Sequence, residues 1–403
     1  MEWKIERPHF AVSEREFIYL VALGIFVFYR IISISTFYPP YALTRFVRYL
    51  CIALICYKCI YYDRIKANTL ICLGLFLCGG IVIRLKAGYM TPIITGFFIL
   101  GAYKVDFDKI IKCFCYIGGM TYLFVFLASQ TGIIPDLVFV RWGIPEHSFG
   151  YTYTTDFVHQ LFFLIIANIY RTRNTALRWS VFIIYCALGI ISYYFCRSRL
   201  GSGSIILAAV AYIYMNKRDA NHHQIVERLF LKYSVLLFST ITILSILLYS
   251  AKSTFWKLCD QFMTGRLAIG KRAFEQYSIS LFGQRIIMRG SGKNIKGNID
   301  TLDEYFYLDS GYIYTLFCFG IICFCLLVIG YTMLLRKEYK RKNYYFCTIM
   351  VLVALHGSIS AQIVDAVNNI FLLSFFSTIN PDSIMICKGS QINNSRMEQL
   401  YEN

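Results

Sequence analysis

Long apolar runs separated by short polar segments make up most of this chain. The runs are continuous and lack the two-residue alternation of apolar and polar positions that marks the strands of a membrane barrel. Because a helix needs about 20 apolar residues to cross a bilayer, the pattern predicts about 12 membrane-spanning helices. The predicted spans are residues 16–36, 43–61, 68–84, 89–103, 109–129, 156–170, 178–196, 202–216, 229–250, 309–334, 345–363 and 367–386.

Composition favours the same fold class, an all-α polytopic transmembrane helix bundle. Of the 403 residues, 57% are hydrophobic and only 16% are charged. A soluble domain usually has about 25% charged residues, so this chain could not cover its surface with polar groups in water. No internal repeat or soluble domain is apparent, and residues 1–403 are expected to form a single membrane domain.

The net charge of +17 indicates membrane topology rather than nucleic-acid binding, because much of it lies in short loops between apolar runs. Basic loops at residues 171–178, 217–232 and 336–342 are expected in the cytoplasm. With an even number of spans between these loops, both chain termini are also expected to be cytoplasmic. The long outer loops are then residues 130–155 and 251–308.

The second outer loop carries nine Lys and Arg residues against five Asp and Glu residues. Loops of this length are not constrained by the charge rule for short loops. The positive excess therefore indicates either a site for an anionic ligand or a solvated face with no ligand.

Two arginines, Arg197 and Arg199, stand in a short outer turn between predicted spans. Arginine does not lose its proton in proteins, so a guanidinium beside a bilayer needs a partner. An anionic ligand would provide one. The alternative is that both side chains extend to the membrane interface and bind nothing.

Residues 264–275 are predicted to form an amphipathic helix in the second outer loop, with Thr264 as its N-cap. Arg266 would lie in the first turn, where backbone N–H groups also attract anions. Arg272 and Glu275 would follow on the same helix.

Four further charged or titratable residues are candidates for a site. Asp309 begins the predicted span 309–334 and is either a catalytic base or a cap of that helix. His147, in the first long outer loop, is either a proton-transfer group or an ordinary polar surface residue. Arg84 and Lys86 fall on the outer side against the charge rule, so either the span 89–103 is miscounted or these cations serve a ligand.

Taken in chain order, these motifs resemble the O-antigen ligase and polysaccharide-polymerase superfamily. The resemblance is closest to bacterial polymerases that join lipid-linked repeat units of O-antigen, capsule or exopolysaccharide. His147 stands where the family has an arginine. The segments that carry the resemblance are His147-Ser148-Phe149-Gly150, Ser198-Arg199-Leu200-Gly201, Thr264-Gly265-Arg266, Leu281-Phe282-Gly283, Asp309-Ser310-Gly311-Tyr312 and Gly320-Ile321-Ile322.

The resemblance implies a multi-pass glycosyltransferase of the bacterial cytoplasmic membrane. Such enzymes move a glycan from one undecaprenyl pyrophosphate carrier to an acceptor sugar on another, at the outer face. Membrane lipids, a flippase and a chain-length regulator are the further partners it implies, with no nucleic acid. No cofactor is expected, because no Asp and His cluster suited to a divalent metal is apparent and arginines are expected to take its role.

For this reaction the sequence offers two sets of site residues, in order of preference. The candidates for binding the pyrophosphate are Arg199, Arg266, Arg197, Arg272 and Arg84. The candidates for the general base are Asp309, Glu275 and His147. A single displacement would invert the anomeric centre.

Two other functions stay open at this stage. A ligase-type transferase would pass a finished glycan to a different acceptor. A flippase or transporter for lipid-linked oligosaccharide would also need many spans and buried cations, but it would favour charges at mid-membrane positions and paired broken helices.

Overall fold

The computed structural model describes residues 13–63, 67–141, 143–217, 225–290 and 305–379. These residues are mostly helical. The helices are α1 (Glu14–Ser33), α2 (Tyr41–Lys58), α3 (Ala67–Ala87), α4 (Thr91–Gly101), α5 (Phe107–Gln130), α6 (Thr154–Arg171), α7 (Trp179–Cys196), α8 (Arg199–Lys217), α9 (Ile225–Leu248), α10 (Thr254–Phe262), α11 (Arg266–Gln276), α12 (Gly311–Tyr314), α13 (Gly320–Lys340) and α14 (Tyr344–Gly357).

Strands and other helix types are few in the described ranges. An antiparallel hairpin of β1 (Val138–Arg141) and β2 (Ile144–His147) lies in the first long outer loop, with Val138 opposite His147. The π-helical segments are Cys59–Asp63, Phe114–Gly118 within α5, and Thr315–Phe319 between α12 and α13. The 3-10 helices are Ala361–Val364 and Ile370–Phe375.

Five helical stretches in the described ranges are long and apolar enough to cross a membrane. They are α1, α5, α7, α9 and the run Gly311–Lys340. This confirms the all-α class and agrees with a membrane helix bundle. The total of about 12 spans stays a prediction. The predicted spans 89–103 and 345–363 correspond to shorter apolar helices, α4 and α14.

The predicted span 367–386 is wrong over the residues that the structure describes. Up to residue 379 this segment contains the short 3-10 helix Ile370–Phe375 and irregular backbone rather than an α-helix. Ile370, Phe371 and Leu373 are fully buried among other helices. An apolar run has the same composition whether lipid or protein covers it, and this run is covered by protein.

The centre of the bundle is formed by α14 and the helices that surround it, α6, α8 and α9. Gly201 at the start of α8 allows close packing on α6, since an added Cβ there would lie 2.9 Å from Cγ1 of Val158. On another side of the molecule, α2 and α5 pack against α1. Gly201 thus lets α8 and α6 approach closely.

A buried lysine, Lys58, connects the end of α2 to the end of α4 through an ion pair and hydrogen bonds. The Nζ of Lys58 lies 2.6 Å from the carboxylate of Asp63, and both side chains are 0% exposed. The same ammonium donates hydrogen bonds to the carbonyl oxygens of Gly101 at 2.7 Å and Tyr103 at 2.9 Å. All three protons of the lysine are therefore used, as a buried charge requires.

Removing one member of this pair should destabilise the bundle more than removing both. We expect Asp63→Ala to lower the free energy of unfolding by about 3–5 kcal/mol, because it leaves a buried ammonium unpaired. The double variant Lys58→Met with Asp63→Leu should lose less. Thermal unfolding in detergent would measure both, and an Asp63→Ala protein as stable as the wild type would contradict the expectation.

The helical run Gly311–Lys340 is broken at Gly320, where φ is +89°. The outer-loop segment 280–284 pairs with the backbone groups on both sides of the break. Ile321 donates to the carbonyl of Ser280 at 3.0 Å, and Gln284 donates to the carbonyl of Phe317 at 3.1 Å. The break is therefore closed by another part of the chain, which satisfies backbone groups that the helix leaves unpaired.

Two glycines face each other at this junction. Gly283 has a φ of +75°, and an added Cβ would lie only 2.1 Å from the carbonyl oxygen of Cys318. An added Cβ at Gly320 would lie 2.3 Å from the backbone nitrogen of Gly283. Both positions therefore need glycine for the backbone angle and for the close approach.

We expect Gly283→Ala to give a protein that is less stable or misassembled, because the neighbouring atoms are backbone and cannot move aside. Gly119→Ala is the matched control, since nothing lies within 4 Å of an added Cβ at that helical position. Alanine there should be neutral or stabilising by about 0.5–1 kcal/mol. The yield of membrane-inserted protein and the thermal unfolding temperature would be measured for both variants. Equal values would refute the requirement for glycine at residue 283.

Candidate functional site

A cavity of about 570 Å³ lies where segments of the two long loops that are predicted to be outside meet the helix bundle. Its volume is within the range of about 300–1,000 Å³ that is usual for small-ligand sites. Its walls come from α1, α6, the turn between α7 and α8, the start of α11, and the segments before α12 and after α14. The charged residues in its lining are Arg30, Arg197, Arg199, Arg266, Glu146, Asp156, Asp309 and Asp365.

The turn between α7 and α8 contributes two arginines to this cavity. α7 ends at Cys196, Arg197 adopts the left-handed conformation with a φ of 52°, and α8 begins at Arg199. The Arg197 guanidinium lies over the rings of Tyr193 and Tyr194, at 5.7 Å and 5.6 Å from their centres. The Nε of Arg197 is buried without a hydrogen-bond partner.

Neither of these two arginines has an acidic partner within the described ranges. The Arg197 guanidinium contacts two aromatic rings, and the Arg199 side chain has no hydrogen bond or ion pair with any residue that the structure describes. Two full positive charges therefore face the cavity without a counterion from the described residues. An anionic group in the cavity would provide one.

Arg266 reaches the same cavity from the second outer loop. Its Nη2 lies 3.5 Å from Oδ2 of Asp309, its Nε donates to the carbonyl of Ile359 at 3.2 Å, and its Nη1 donates to that of Met263 at 3.2 Å. The side chain is only 14% exposed. These contacts hold the guanidinium in one orientation at the cavity wall.

The N-terminus of α11 differs from the prediction. Thr264 is not the N-cap, because the helix begins at Arg266 after Gly265, which has a φ of +84°. The carboxylate of Asp260 accepts hydrogen bonds from the backbone N–H groups of Leu267 at 2.8 Å and Ala268 at 3.1 Å. These N–H groups are therefore already used, and Arg266 offers the cavity its side chain rather than a free helix terminus.

Asp309 lies at the cavity wall and is not the cap of the following helix. The N-cap of α12 is Ser310. The Asp309 carboxylate contacts Arg266, and the hydroxyl of Tyr305 lies 3.5 Å from the same oxygen. Burial and the carboxylates of Asp156 and Asp309 raise the pKa of the neighbouring Tyr307, so this cavity-lining phenol stays protonated and can donate a hydrogen bond.

Four predicted site residues lie outside the cavity lining: His147, Glu275, Arg272 and Arg84. The carboxylate of Asp136 accounts for the His147 segment, because it contacts the His147 ring nitrogen Nδ1 at 2.6 Å and accepts from the backbone N–H groups of Ser148 and Phe149 at 3.0 Å and 2.7 Å. The resemblance of this segment to the family motif therefore coincides with a locally hydrogen-bonded turn. The catalytic role predicted for His147 stays a prediction.

The other three residues are placed in different ways. Arg272 donates to the carbonyl of Tyr305 at 2.7 Å and so fixes a segment whose neighbours line the cavity. Glu275 is exposed on α11. Arg84, at the end of α3, donates to the carbonyl of Gly88. None of them lines the cavity with Arg197, Arg199 and Arg266.

The structure adds polar residues that the sequence interpretation did not select. Arg30 forms an ion pair with Asp365 at 3.0 Å. The carboxylate of Asp156 accepts hydrogen bonds from the amide of Gln362 at 3.1 Å and from the hydroxyl of Thr152 at 3.2 Å. Arg30 lies inside a predicted span, and charges in spans are usually functional or paired, so that rule could have found it.

Among the described residues, no group of three or more His, Cys, Asp or Glu side chains is placed to hold a metal ion.

The comparisons with known proteins give no independent assignment. No family model, curated protein or solved structure matches this chain. The resemblance to the O-antigen ligase and polymerase superfamily therefore rests on the motifs and their order alone.

Proposed function

We propose that this protein is a polymerase that joins undecaprenyl-pyrophosphate-linked oligosaccharide repeat units into a surface polysaccharide, at the outer face of the bacterial cytoplasmic membrane. The observation that carries the proposal is a pair of guanidinium groups, those of Arg197 and Arg199, which have no acidic partner among the described residues and share one cavity with Arg266. Arginine keeps its charge, so a cavity of this kind favours an anionic ligand. A lipid-linked pyrophosphate supplies that anion at a membrane.

The three arginines suit the chemistry of a departing pyrophosphate. When the acceptor hydroxyl attacks the anomeric carbon, negative charge builds on the pyrophosphate oxygens. The forked donors of a guanidinium match such oxygens in pairs. Donors that are already oriented stabilise this charge without a further cost of reorganisation, and the three contacts of Arg266 provide such an orientation.

The rest of the cavity wall suits a sugar. It combines carboxylates, the amides of Gln362 and Asn368, and the phenols of Tyr305 and Tyr307. These groups donate to and accept from hydroxyls. This part of the lining is therefore chemically suited to a polyhydroxylated, uncharged group.

The predicted topology agrees with this proposal. Arg197, Arg199 and Arg266 all lie in segments predicted on the outer side, whereas the basic loops predicted in the cytoplasm contribute nothing to the cavity lining within the described ranges. The donor and acceptor would therefore meet at the outer face, where lipid-linked repeat units are presented after transfer across the membrane.

Removal of either cavity arginine should abolish polymer formation. In a strain that lacks its own polymerase, we expect Arg199→Ala and Arg266→Ala to lose the ladder of repeat lengths. Each lost donor is expected to raise the barrier by about 2.7–4 kcal/mol, or roughly 100- to 1,000-fold in rate. Arg228→Ala, at an exposed position outside the cavity lining, is the matched control.

The assignment is wrong if Arg199→Ala and Arg266→Ala both make full-length surface polymer at normal protein levels. If the protein were a ligase or a flippase, the wild type would not restore the ladder in this strain. A ligase would instead restore attachment in a strain that makes polymer but cannot attach it, and a flippase would restore transfer in a strain whose repeat units stay on the inner leaflet.

The orientation can be tested separately with reporters fused after Gly290. An enzyme that is active only outside the cytoplasm should be active there, and a reporter that is active only in the cytoplasm should be silent. The reverse pattern would overturn the predicted orientation and place the cavity on the wrong side for this function.

A further inference from the structure

Three aspartates line the cavity, and their environments differ. Asp309 is paired with Arg266 at 3.5 Å, and Asp365 is paired with Arg30 at 3.0 Å. Asp156 forms no ion pair within the described ranges. Its two oxygens accept hydrogen bonds from neutral groups only, the amide of Gln362 and the hydroxyl of Thr152.

We propose that Asp156 is the catalytic base that receives the proton of the acceptor sugar hydroxyl, and that Gln362 is its positioning residue. This inference rests on the proposed polymerase function and adds to it the residue that activates the acceptor. It differs from the sequence-based preference for Asp309, which the experiment below tests in parallel.

The reason lies in what each carboxylate loses when it is protonated. If Asp309 or Asp365 took up a proton, the ion pair with its arginine would be lost while the guanidinium stayed in place, part-buried and without its partner. Asp156 makes no such pair, so a proton on it leaves no cation unpaired. The environment of Asp156 therefore suits a base that must alternate between its charged and its neutral form.

Gln362 is suited to both forms of Asp156. Its Nε2 donates to Oδ1 of Asp156, while its Oε1 is buried and has no hydrogen-bond partner among the described residues. A half turn of the amide exchanges a donor for an acceptor of nearly the same shape. After proton transfer, the carboxylic acid of Asp156 could then donate to Oε1, so Gln362 offers a partner before and after the step.

In the transfer step one bond forms at the anomeric carbon and one breaks. The acceptor oxygen forms a bond to the anomeric carbon, and its proton passes to a carboxylate oxygen of Asp156. The bond between the anomeric carbon and the pyrophosphate oxygen breaks, and its electron pair leaves with the lipid pyrophosphate, whose charge Arg197, Arg199 and Arg266 meet. The proton on Asp156 then passes to water at the cavity mouth.

The charged and titratable groups around Asp156 come from several parts of the chain. Arg30 on α1 and Asp309 before α12 act on its charge from a distance. Tyr151 and Tyr307 are close enough for its charge to act on them. His159 lies one turn further along α6, and Asp365 lies one turn beyond Gln362; both line the same cavity.

The test uses purified full-length protein with a synthetic lipid-linked repeat unit and measures the initial rate of polymer formation against pH. For the wild type the rate should fall at low pH, because a protonated base cannot accept a proton. Asp156→Asn should lower the rate at least about 100-fold and remove this acid limb. Asp365→Asn, the matched comparison, should retain an acid limb, because the base at residue 156 is still present.

Two further measurements keep the proposal falsifiable if Asp156→Asn folds poorly. Binding of undecaprenyl pyrophosphate without a sugar should be unchanged in Asp156→Asn, since the arginines hold that ligand. Gln362→Glu puts a second carboxylate beside Asp156. The pair should hold one proton more firmly and move the acid limb to higher pH.

The possible results separate the two proposals. If the wild type makes no polymer and does not bind the lipid pyrophosphate, both fall. If the wild type polymerises but Asp156→Asn keeps its rate and acid limb, or Gln362→Glu leaves the limb unmoved, only the role of Asp156 is overturned. If Asp309→Asn rather than Asp156→Asn removes the limb, Asp309 is the base.

Discussion

A helix that breaks inside an apolar bundle must have its freed backbone groups paired by some other part of the chain, and in this protein that constraint fixes residues 280–284. The break at Gly320 is closed by residues 280–284, whose own backbone bends at Gly283. This junction anchors the chain just after α11, which begins with Arg266. It also lies a short distance along the chain from Asp309, on the other side of α12. A side chain from a long loop and a carboxylate at a helix entrance can therefore meet at 3.5 Å.

The sequence predicted those parts of the fold that depend on composition over some twenty residues. The long apolar runs are helices, and the ends of α1, α7 and α9 lie close to the predicted ones. The span predicted at 367–386 is wrong over residues 367–379, the part that the structure describes, because burial in protein and burial in lipid select the same side chains. The break at Gly320 was also missed, since it depends on a pairing with residues far away in the sequence.

The candidate site likewise contains residues that local sequence reveals and residues whose role depends on a distant partner. Arg197, Arg199, Arg266 and Asp309 could be selected because charges at the edges of apolar runs are conspicuous. The ion pair between Arg30 and Asp365 joins residues 335 positions apart, so neither residue alone shows its role. His147 shows a different limit of the sequence: its segment resembles a family motif, and its contacts with Asp136 also account for that segment as a local turn.

The size of the cavity has a consequence for how polymer length would be controlled. A volume of about 570 Å³ can enclose a pyrophosphate and the sugars being joined, but not a long glycan. In a polymerase built this way, the chemistry has access only to the two ends that react, and a short chain and a long chain present the same end. The site would carry no record of the number of units already added. Any preferred length would then have to come from outside it, through competition between another round of addition and release of the chain to a second protein.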